Sequence, residues 1–149
     1  MVDLLVRLYD LPVLDTRTQP DRHGVTIRRA IPPERHVVVD FAGSFFPNWA
    51  SECAFAFSAL PVPVWIATHE QQIVGFACAE ATAKGFFGPT GVAEAWQGKG
   101  IGLALLFETL KGLREAGYAY AVIGGATDAI GFYKKYLDVM EIPGSVPGV

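Results

Sequence analysis

Between residues 47 and 63 the apolar side chains return at helical spacing. Ala50, Cys53, Ala54 and Phe57 stand at i, i+3, i+4 and i+7 behind Pro47, and Pro61 and Pro63 stop the run. The pattern predicts a helix. Beyond it the composition turns β-branched and aromatic in three runs, Val64 to His69, Gln72 to Thr82 and Phe86 to Ala93, separated by Glu70-Gln71 and by Lys84-Gly85. Runs of this kind with short polar breaks predict a meander of three antiparallel strands. Upstream, Leu4 to Leu11 reads as a short strand and the polar stretch Pro12 to Gly24 as an added arm. Val25 to Ala30 alternates apolar and polar residues as a strand does, and Pro32-Pro33-Glu34 then opens a helix. Downstream, Ile101, Leu105, Leu106, Leu110 and Leu113 mark one face of a helix that should end at Gly117, where a left-handed residue is needed. Tyr118 to Ile123 predicts a strand. A last helix runs from about Asp128 to Tyr136, capped by Thr127 or Asp128, and a short strand lies near Val139 to Ile142.

The succession of strand, glycine-rich loop, helix and strand from Phe86 to Ile123 is that of a βαβ unit, whose two strands lie parallel through a right-handed crossover. At 149 residues and 51% hydrophobic content, one continuous core is the expectation. The chain therefore reads as a single domain, 1–149, with an arm over 1–24 and the core over 25–142. The strand Leu4 to Leu11 is apolar enough to need a partner, either an edge of its own sheet or a second subunit in a homodimer.

Charge and composition narrow the partners. The formal charge of −3 gives no global basic field to hold a phosphate backbone, so nucleic acid is not expected. No apolar stretch reaches the roughly 18 residues that span a bilayer, and the first residues lack the pattern of a secretory leader. No membrane partner and a cytoplasmic location are expected. Cys53 and Cys78 each sit within an apolar run, far apart in sequence, which points to two buried free thiols rather than to a disulfide framework or a metal site.

The chemistry concentrates in Gln97-Gly98-Lys99-Gly100-Ile101-Gly102. Alternating glycines between a strand and a helix bring bare backbone N–H groups to the positive end of the helix dipole, which suits a phosphate or pyrophosphate. A plain strand-to-helix turn has the same composition, so the loop by itself leaves both readings open. Two nucleotide motifs fit poorly. A dinucleotide fold needs Gly-x-Gly-x-x-Gly and an acid closing the next strand, where this chain has Ile123-Gly124-Gly125. A P-loop needs Gly-Lys-Ser/Thr, and here Lys99 is followed by Gly100.

What the loop resembles is the acetyl-CoA motif of the GNAT superfamily of N-acetyltransferases, Gln/Arg-x-x-Gly-x-Gly/Ala, met by Gln97, Gly100 and Gly102. Thr90-Gly91-Val92 precedes it at the family's spacing, and Gly131-Phe132-Tyr133-Lys134-Lys135 follows in the manner of the family's Phe-Tyr-x-Lys segment. The resemblance implies an α/β (α+β) fold with a central mixed, mostly antiparallel twisted sheet of about six to seven strands, flanked by about four helices. It also implies acetyl-CoA as cosubstrate, with no metal. Carried over, Val92 and Ala93 would bind the pantetheine arm. Gln97, Gly98, Lys99, Gly100, Ile101, Gly102 and Leu103 would present amides to the pyrophosphate.

The same resemblance makes Tyr133 the general acid for the departing thiolate. Phe86 stands where protein-acetylating relatives carry a glutamate, which leaves Glu80 on the neighbouring strand, or a water relay, as general base. Asp128 is read as a helix cap. Asparagine is common seven residues before the tyrosine in the family, and here that position is Ala126, with Thr127 as the replacement contact. The acceptor cleft is expected against the aromatic wall of Phe45, Phe46, Trp49, Phe55 and Phe57. Phe45, Trp49, Phe86 and Thr90 are the expected substrate-binding residues, and Phe57 is assigned to the core. His23, His36 and His69 are placed away from the loop, so an acyl-enzyme route through Cys53 has no base. The implied reaction is direct transfer of acetyl to a primary amine of a small molecule or peptide. The competing reading is a catalytically silent CoA-binding sensor.

Overall fold

The computed structural model describes residues 2–148, except for the side chain of Thr127. Seven strands form one sheet: β1 (Leu4–Arg7), β2 (Thr26–Arg29), β3 (Val64–His69), β4 (Gln72–Ala79), β5 (Phe86–Val92), β6 (Tyr120–Ile123) and β7 (Val139–Glu141). Their spatial order is β2-β3-β4-β5-β6-β1-β7, antiparallel at every step except the parallel pair β5–β6. Five α-helices accompany them: α1 (Thr18–Arg22), α2 (Arg35–Gly43), α3 (Pro47–Ala56), α4 (Ile101–Glu115) and α5 (Ile130–Tyr136). The mixed, mostly antiparallel sheet and the βαβ unit β5–α4–β6 are as the sequence predicts. No helix among the described residues is long and apolar enough to cross a membrane.

The central strands are apolar on both sides because helices cover both faces of the sheet. Along β3, Val64 and Ile66 join Val38, Ala42 and Cys53 of α2 and α3, whereas Trp65 and Ala67 join Leu105, Leu110 and Leu113 of α4. This is the period of two that a strand imposes, with a core on each side. Cys53 and Cys78, distant in sequence, are both buried as free thiols on the α2–α3 side and lie within hydrogen-bonding reach of each other. The helix α4 ends as its sequence suggests. Gly117 adopts φ +103, its N–H bonds the Arg114 carbonyl at 3.0 Å, and the Tyr118 N–H bonds the Leu113 carbonyl at 3.2 Å. These two bonds make a Schellman motif, in which the turn past the helix satisfies carbonyls that the helix leaves open.

The N-terminal segment departs from expectation. The strand stops at Arg7, followed by a single 3-10 turn over Leu8–Asp10. It does not extend an edge. It lies inside the sheet, pairing Leu4 with Ile123 of β6 on one side and with Glu141 of β7 on the other. Leu4, Val6 and Leu8 are buried there within the chain's own core, so its apolar character needs no second subunit. The polar arm also folds, into α1. The Arg17 guanidinium ties it to Glu108 of α4 at 3.0 Å, and Lys111 reaches the same carboxylate at 2.9 Å.

Candidate functional site

The parallel pair β5–β6 is short. Phe86 faces Val122 and Phe87 faces Ile123, and no further rung follows. The cause lies in β5 itself. Against β4, Ala79 pairs with Phe87 and Ala77 with Thr90, so two residue steps on β4 match three on β5. The extra residue is a bulge at Gly88-Pro89. A bulge bends its strand, proline brings no N–H to a ladder, and Gly88 has the positive φ of +106 that other residues avoid. The strand turns away from β6, and a gap opens through the sheet.

On one side of this gap a cleft of about 500 Å³ opens at the start of α4. Val92, Gln97, Gly98, Gly100, Ile101, Gly102 and Leu103 form its base; Gln19 and Trp96 stand at one wall, and Phe132, Lys135 and Tyr136 of α5 at the other. Gly98 and Gly100 have φ of +77 and +75, a left-handed conformation that lets the loop curl into the helix without a Cβ clash. The first amide bonded into α4 is that of Ala104, to the Gly100 carbonyl at 3.1 Å. The amides before it are the open donors of a helix N-terminus, pointing where an anion binds. Gln97 steadies the entry to the loop, its side-chain amide donating to the Val92 carbonyl at 3.2 Å. Ala93 bonds back to β4, its N–H to the Val74 carbonyl at 2.9 Å. Lys99 flanks the loop half-buried and does not line the cleft.

A second cleft of about 370 Å³ follows the gap itself. Phe87, Gly88, Pro89 and Thr90 come from β5, and Ile123 to Ala126 from the end of β6; Tyr133 enters from α5 and Trp49 from α3. Tyr133 belongs to the core on the α4 side, and Trp49 packs with the core on the α2–α3 side. The cleft thus joins the two faces of the sheet. Tyr133 is buried and meets Phe87 edge-on at 6.4 Å. Burial pushes its phenol up from 10.0 to about 12, because a phenolate in an apolar surround loses its hydration. The phenol therefore keeps its proton at neutral pH. Thr90 also lines this cleft, its hydroxyl donating to the Phe76 carbonyl at 3.0 Å.

A smaller hollow of about 180 Å³ continues from there past Trp49, Phe87 and Gly88 to Phe86, Thr82 and Glu52. Of the aromatic wall, Trp49 alone lines both sections. Phe45 packs instead on the bare backbone of Gly91, where a Cβ would meet its ring at 3.0 Å, and against Phe76 at 6.0 Å. Phe46 and Phe55 are 58% and 65% exposed, which removes Phe55 in particular from any wall, and Phe57 is core.

Glu80 lies elsewhere. It follows β4 directly with a φ of +63 and accepts the Gly85 N–H at 2.7 Å. The Tyr118 phenol is held by the same carboxylate, which pushes that phenol up. These bonds close the β4–β5 turn. Glu80 and Tyr133 line separate clefts, and the structure does not bring them together. Asp128 does not cap a helix as its position suggests. Neither the 3-10 turn Thr127–Ala129 nor α5 has a side-chain cap, and Asp128 lines the gap beside Tyr133. The expected contact from the Thr127 side chain lies outside the described residues. His69, assigned far from the loop, packs against Trp96 with ring centroids 4.6 Å apart and so touches the wall of the first cleft.

Sequence reasoning also missed Gln19 and Lys135. Lys135 was legible within the Phe-Tyr-x-Lys segment, two residues past Tyr133. Gln19 had no local signal, because only the fold of the arm carries it to the loop.

Residues 61–136 match the family model described as the acetyltransferase (GNAT) domain. No curated protein matches the sequence. Among solved structures, the chain is similar to a GCN5-related glucosamine N-acetyltransferase region in a fungal multi-domain GH3 beta-N-acetylglucosaminidase, with a TM-score of 0.72 and 16% identity over 95% of this chain and 19% of that one. It is similar to a GCN5-related N-acetyltransferase from Sphaerobacter thermophilus, with a TM-score of 0.69 and 22% identity over 94% of this chain and 48% of that one. A GNAT family acetyltransferase from Brucella melitensis, solved in complex with acetyl-CoA, is 27% identical over 76% of this chain and 82% of that one, with a TM-score of 0.56. The chain spans about a fifth and about a half of the first two proteins' lengths.

Proposed function

The chain belongs to the GNAT acetyltransferase domain family, and from that membership we propose that it transfers an acetyl group from acetyl-CoA to a primary amine of a small molecule or peptide, by direct attack with both substrates bound. The observation that carries the reading is the parting of β5 from β6 beyond Phe87 and Ile123, with the glycine loop at one mouth of the gap and Tyr133 inside it. The open amides from Gly98 to Leu103 suit the pyrophosphate, and Lys135 adds the positive charge on the same cleft. The edge of β5 that faces away from β4, as far as Val92, offers backbone groups for the amides of the pantetheine arm; Ala93 does not, because its N–H is bonded to the Val74 carbonyl at 2.9 Å and its carbonyl accepts the Trp96 N–H at 2.8 Å. The Brucella relative holds acetyl-CoA, and this chain's cleft is suited to the same ligand.

In the reaction the amine nitrogen, in its neutral form, attacks the thioester carbonyl and the C–S bond then breaks. Tyr133, a phenol protonated at neutral pH, gives its proton to the departing sulfur. The nitrogen's surplus proton returns to the phenol through water in the gap, so the amide and the free thiol form without a separate base. Glu80, spent on the Gly85 N–H and Tyr118, is not needed. Trp49, Phe86 and Thr90 are the side chains of the acceptor path, and Phe45 supports it through Gly91.

Thermal unfolding with acetyl-CoA, NAD and ATP in turn, combined with thiol release across a panel of primary amines, tests the reading. A ligand at about 100 times its Kd adds about 2.7 kcal/mol, or roughly 5–11 °C at this size. Stabilisation by acetyl-CoA with amine-dependent thiol release is the expected result. Stabilisation by NAD or ATP alone would sink the proposal, and acetyl-CoA binding without turnover of any amine would favour the silent sensor.

A further inference from the structure

The ionisable groups around the gap are sorted by sign. On the loop side, the charged side chain lining the cleft is Lys135, a cation suited to the phosphates. Across the sheet, the second cleft and the hollow continuing from it are lined by two carboxylates, Asp128 and Glu52, and by no lysine, arginine or histidine among the described residues. Both carboxylates are uncommitted in a way that Glu80 is not. Glu52 is half-buried on α3, with the Thr82 hydroxyl at 3.4 Å as its hydrogen-bond donor. Asp128 is exposed to the cleft and caps no helix. Trp49 lines both sections. An indole face next to a carboxylate attracts an ammonium group through its ring quadrupole as well as through charge.

Resting on the acetyltransferase reading, we propose that the acceptor is a cationic amine without a carboxylate near its nitrogen, selected by Glu52 on α3 and Asp128 beside α5. Glu52 holds a positive group of the acceptor in the hollow behind Trp49, and Asp128 draws the reacting end, as ammonium, toward the mouth of the gap before it gives up its proton to solvent. A free α-amino acid is disfavoured, because its carboxylate would enter adjoining clefts that each hold a negative charge and supply no cation. Like charges brought together in such a cleft are how a site rejects the wrong partner. Diamines and amides of basic amino acids have the required charge.

The test is titration calorimetry on the full chain saturated with coenzyme A, with 1,4-diaminobutane and lysine amide against glutamate and glycine, followed by thiol-release kinetics with acetyl-CoA. The cationic acceptors are expected to bind at millimolar concentration or better, and the two carboxylate-bearing ones at least about tenfold more weakly. Glu52→Gln should raise KM for 1,4-diaminobutane about tenfold and Asp128→Asn by a smaller factor, with the thermal stabilisation by acetyl-CoA unchanged in both. Glu70→Gln, on the exposed β3–β4 hairpin, should change neither. Glutamate bound as well as the diamine, or an unchanged diamine affinity in the Glu52→Gln, Asp128→Asn double variant, overturns this proposal and leaves the acetyltransferase reading standing. Loss of stabilisation by acetyl-CoA in the unaltered protein overturns that reading and this one together.

Discussion

The side chain of Gln19 lies directly over Gly100. A Cβ placed on that glycine would meet the Gln19 Oε1 at 2.6 Å and its own Cβ at 3.1 Å. A residue from an arm far upstream in sequence thus closes one wall of the cleft whose base is the glycine loop. Gly100 is constrained twice, by this contact and by its φ of +75.

Gly100→Ala is therefore expected to destabilise the fold by about 1–2 kcal/mol from the left-handed backbone alone, with the Gln19 contact adding to it. Thermal unfolding should show a lower Tm, and the Kd for acetyl-CoA should rise at least tenfold. Gln19→Ala in the same background removes the 2.6 Å contact while its Cβ stays at 3.1 Å, and should recover part of the stability, but not the part owed to φ. An unchanged Tm in Gly100→Ala would contradict the constraint.

Lys135→Gln removes the positive charge lining the phosphate side of the cleft. The Kd for acetyl-CoA should rise about three- to tenfold at low salt. The gap between variant and parent should narrow as ionic strength rises, since an exposed charge is screened within about 8–10 Å at physiological salt. Calorimetry across a salt series would check both parts. Lys134→Gln is the control, because Lys134 pairs with Glu141 at 3.3 Å outside the cleft.

Tyr133→Phe keeps the ring that meets Phe87 and removes the acid. The rate of acetyl transfer should fall about 10²-fold or more, while stabilisation by acetyl-CoA persists. The phenol also sets an alkaline limit. Its folded-state value of about 12 lies above the ordinary 10.0, so the native state holds the proton more tightly than the unfolded chain. Below pH 10 both states are protonated and Tyr133 adds no pH dependence. From pH 10 upward the unfolded chain ionises first, and stability falls until about pH 12. Denaturant unfolding between pH 8 and 11 should show this slope in the parent and a reduced one in Tyr133→Phe.

Gly112→Ala should be the more damaging of two glycine changes in α4. A Cβ there would overlap the Trp65 indole, which is buried under the Arg29 guanidinium at 4.2 Å. Overpacking of this kind costs about 1–3 kcal/mol or more. Gly102→Ala, whose Cβ would have Val92 as its nearest neighbour at 3.9 Å, should unfold near the parent Tm. A chemical denaturation series measures both.

Most of the elements were legible in the sequence because their determinants are local. Helical spacing behind Pro47, β-branched runs between polar breaks, and Gly117 after the last leucine of α4 each act within a turn or a strand, and each element formed within a few residues of its predicted bounds. The cofactor loop was legible for the same reason, since positive-φ glycines before a helix act on their own neighbours. The bulge at Gly88-Pro89 could have been read too, because a proline inside a central strand argues for a break in its ladder.

What the sequence could not determine is which distant segments meet. The insertion of β1 between β6 and β7, Gln19 over the glycine loop, and Glu52 in the hollow adjoining the cleft of Asp128 are arrangements across the whole chain, fixed by the pairing of strands and the closing of two cores. Glu80 illustrates the converse. By its place on the neighbouring strand it is the carboxylate expected to serve the site, yet the turn after β4 gave it the Gly85 N–H and Tyr118 to bind and faced it away. By itself, then, the sequence determined an anion-binding loop at a helix N-terminus and a tyrosine downstream of it. Only the tertiary structure, by bending β5 away from β6, decided which cleft each of the two lines and which charges stand in each.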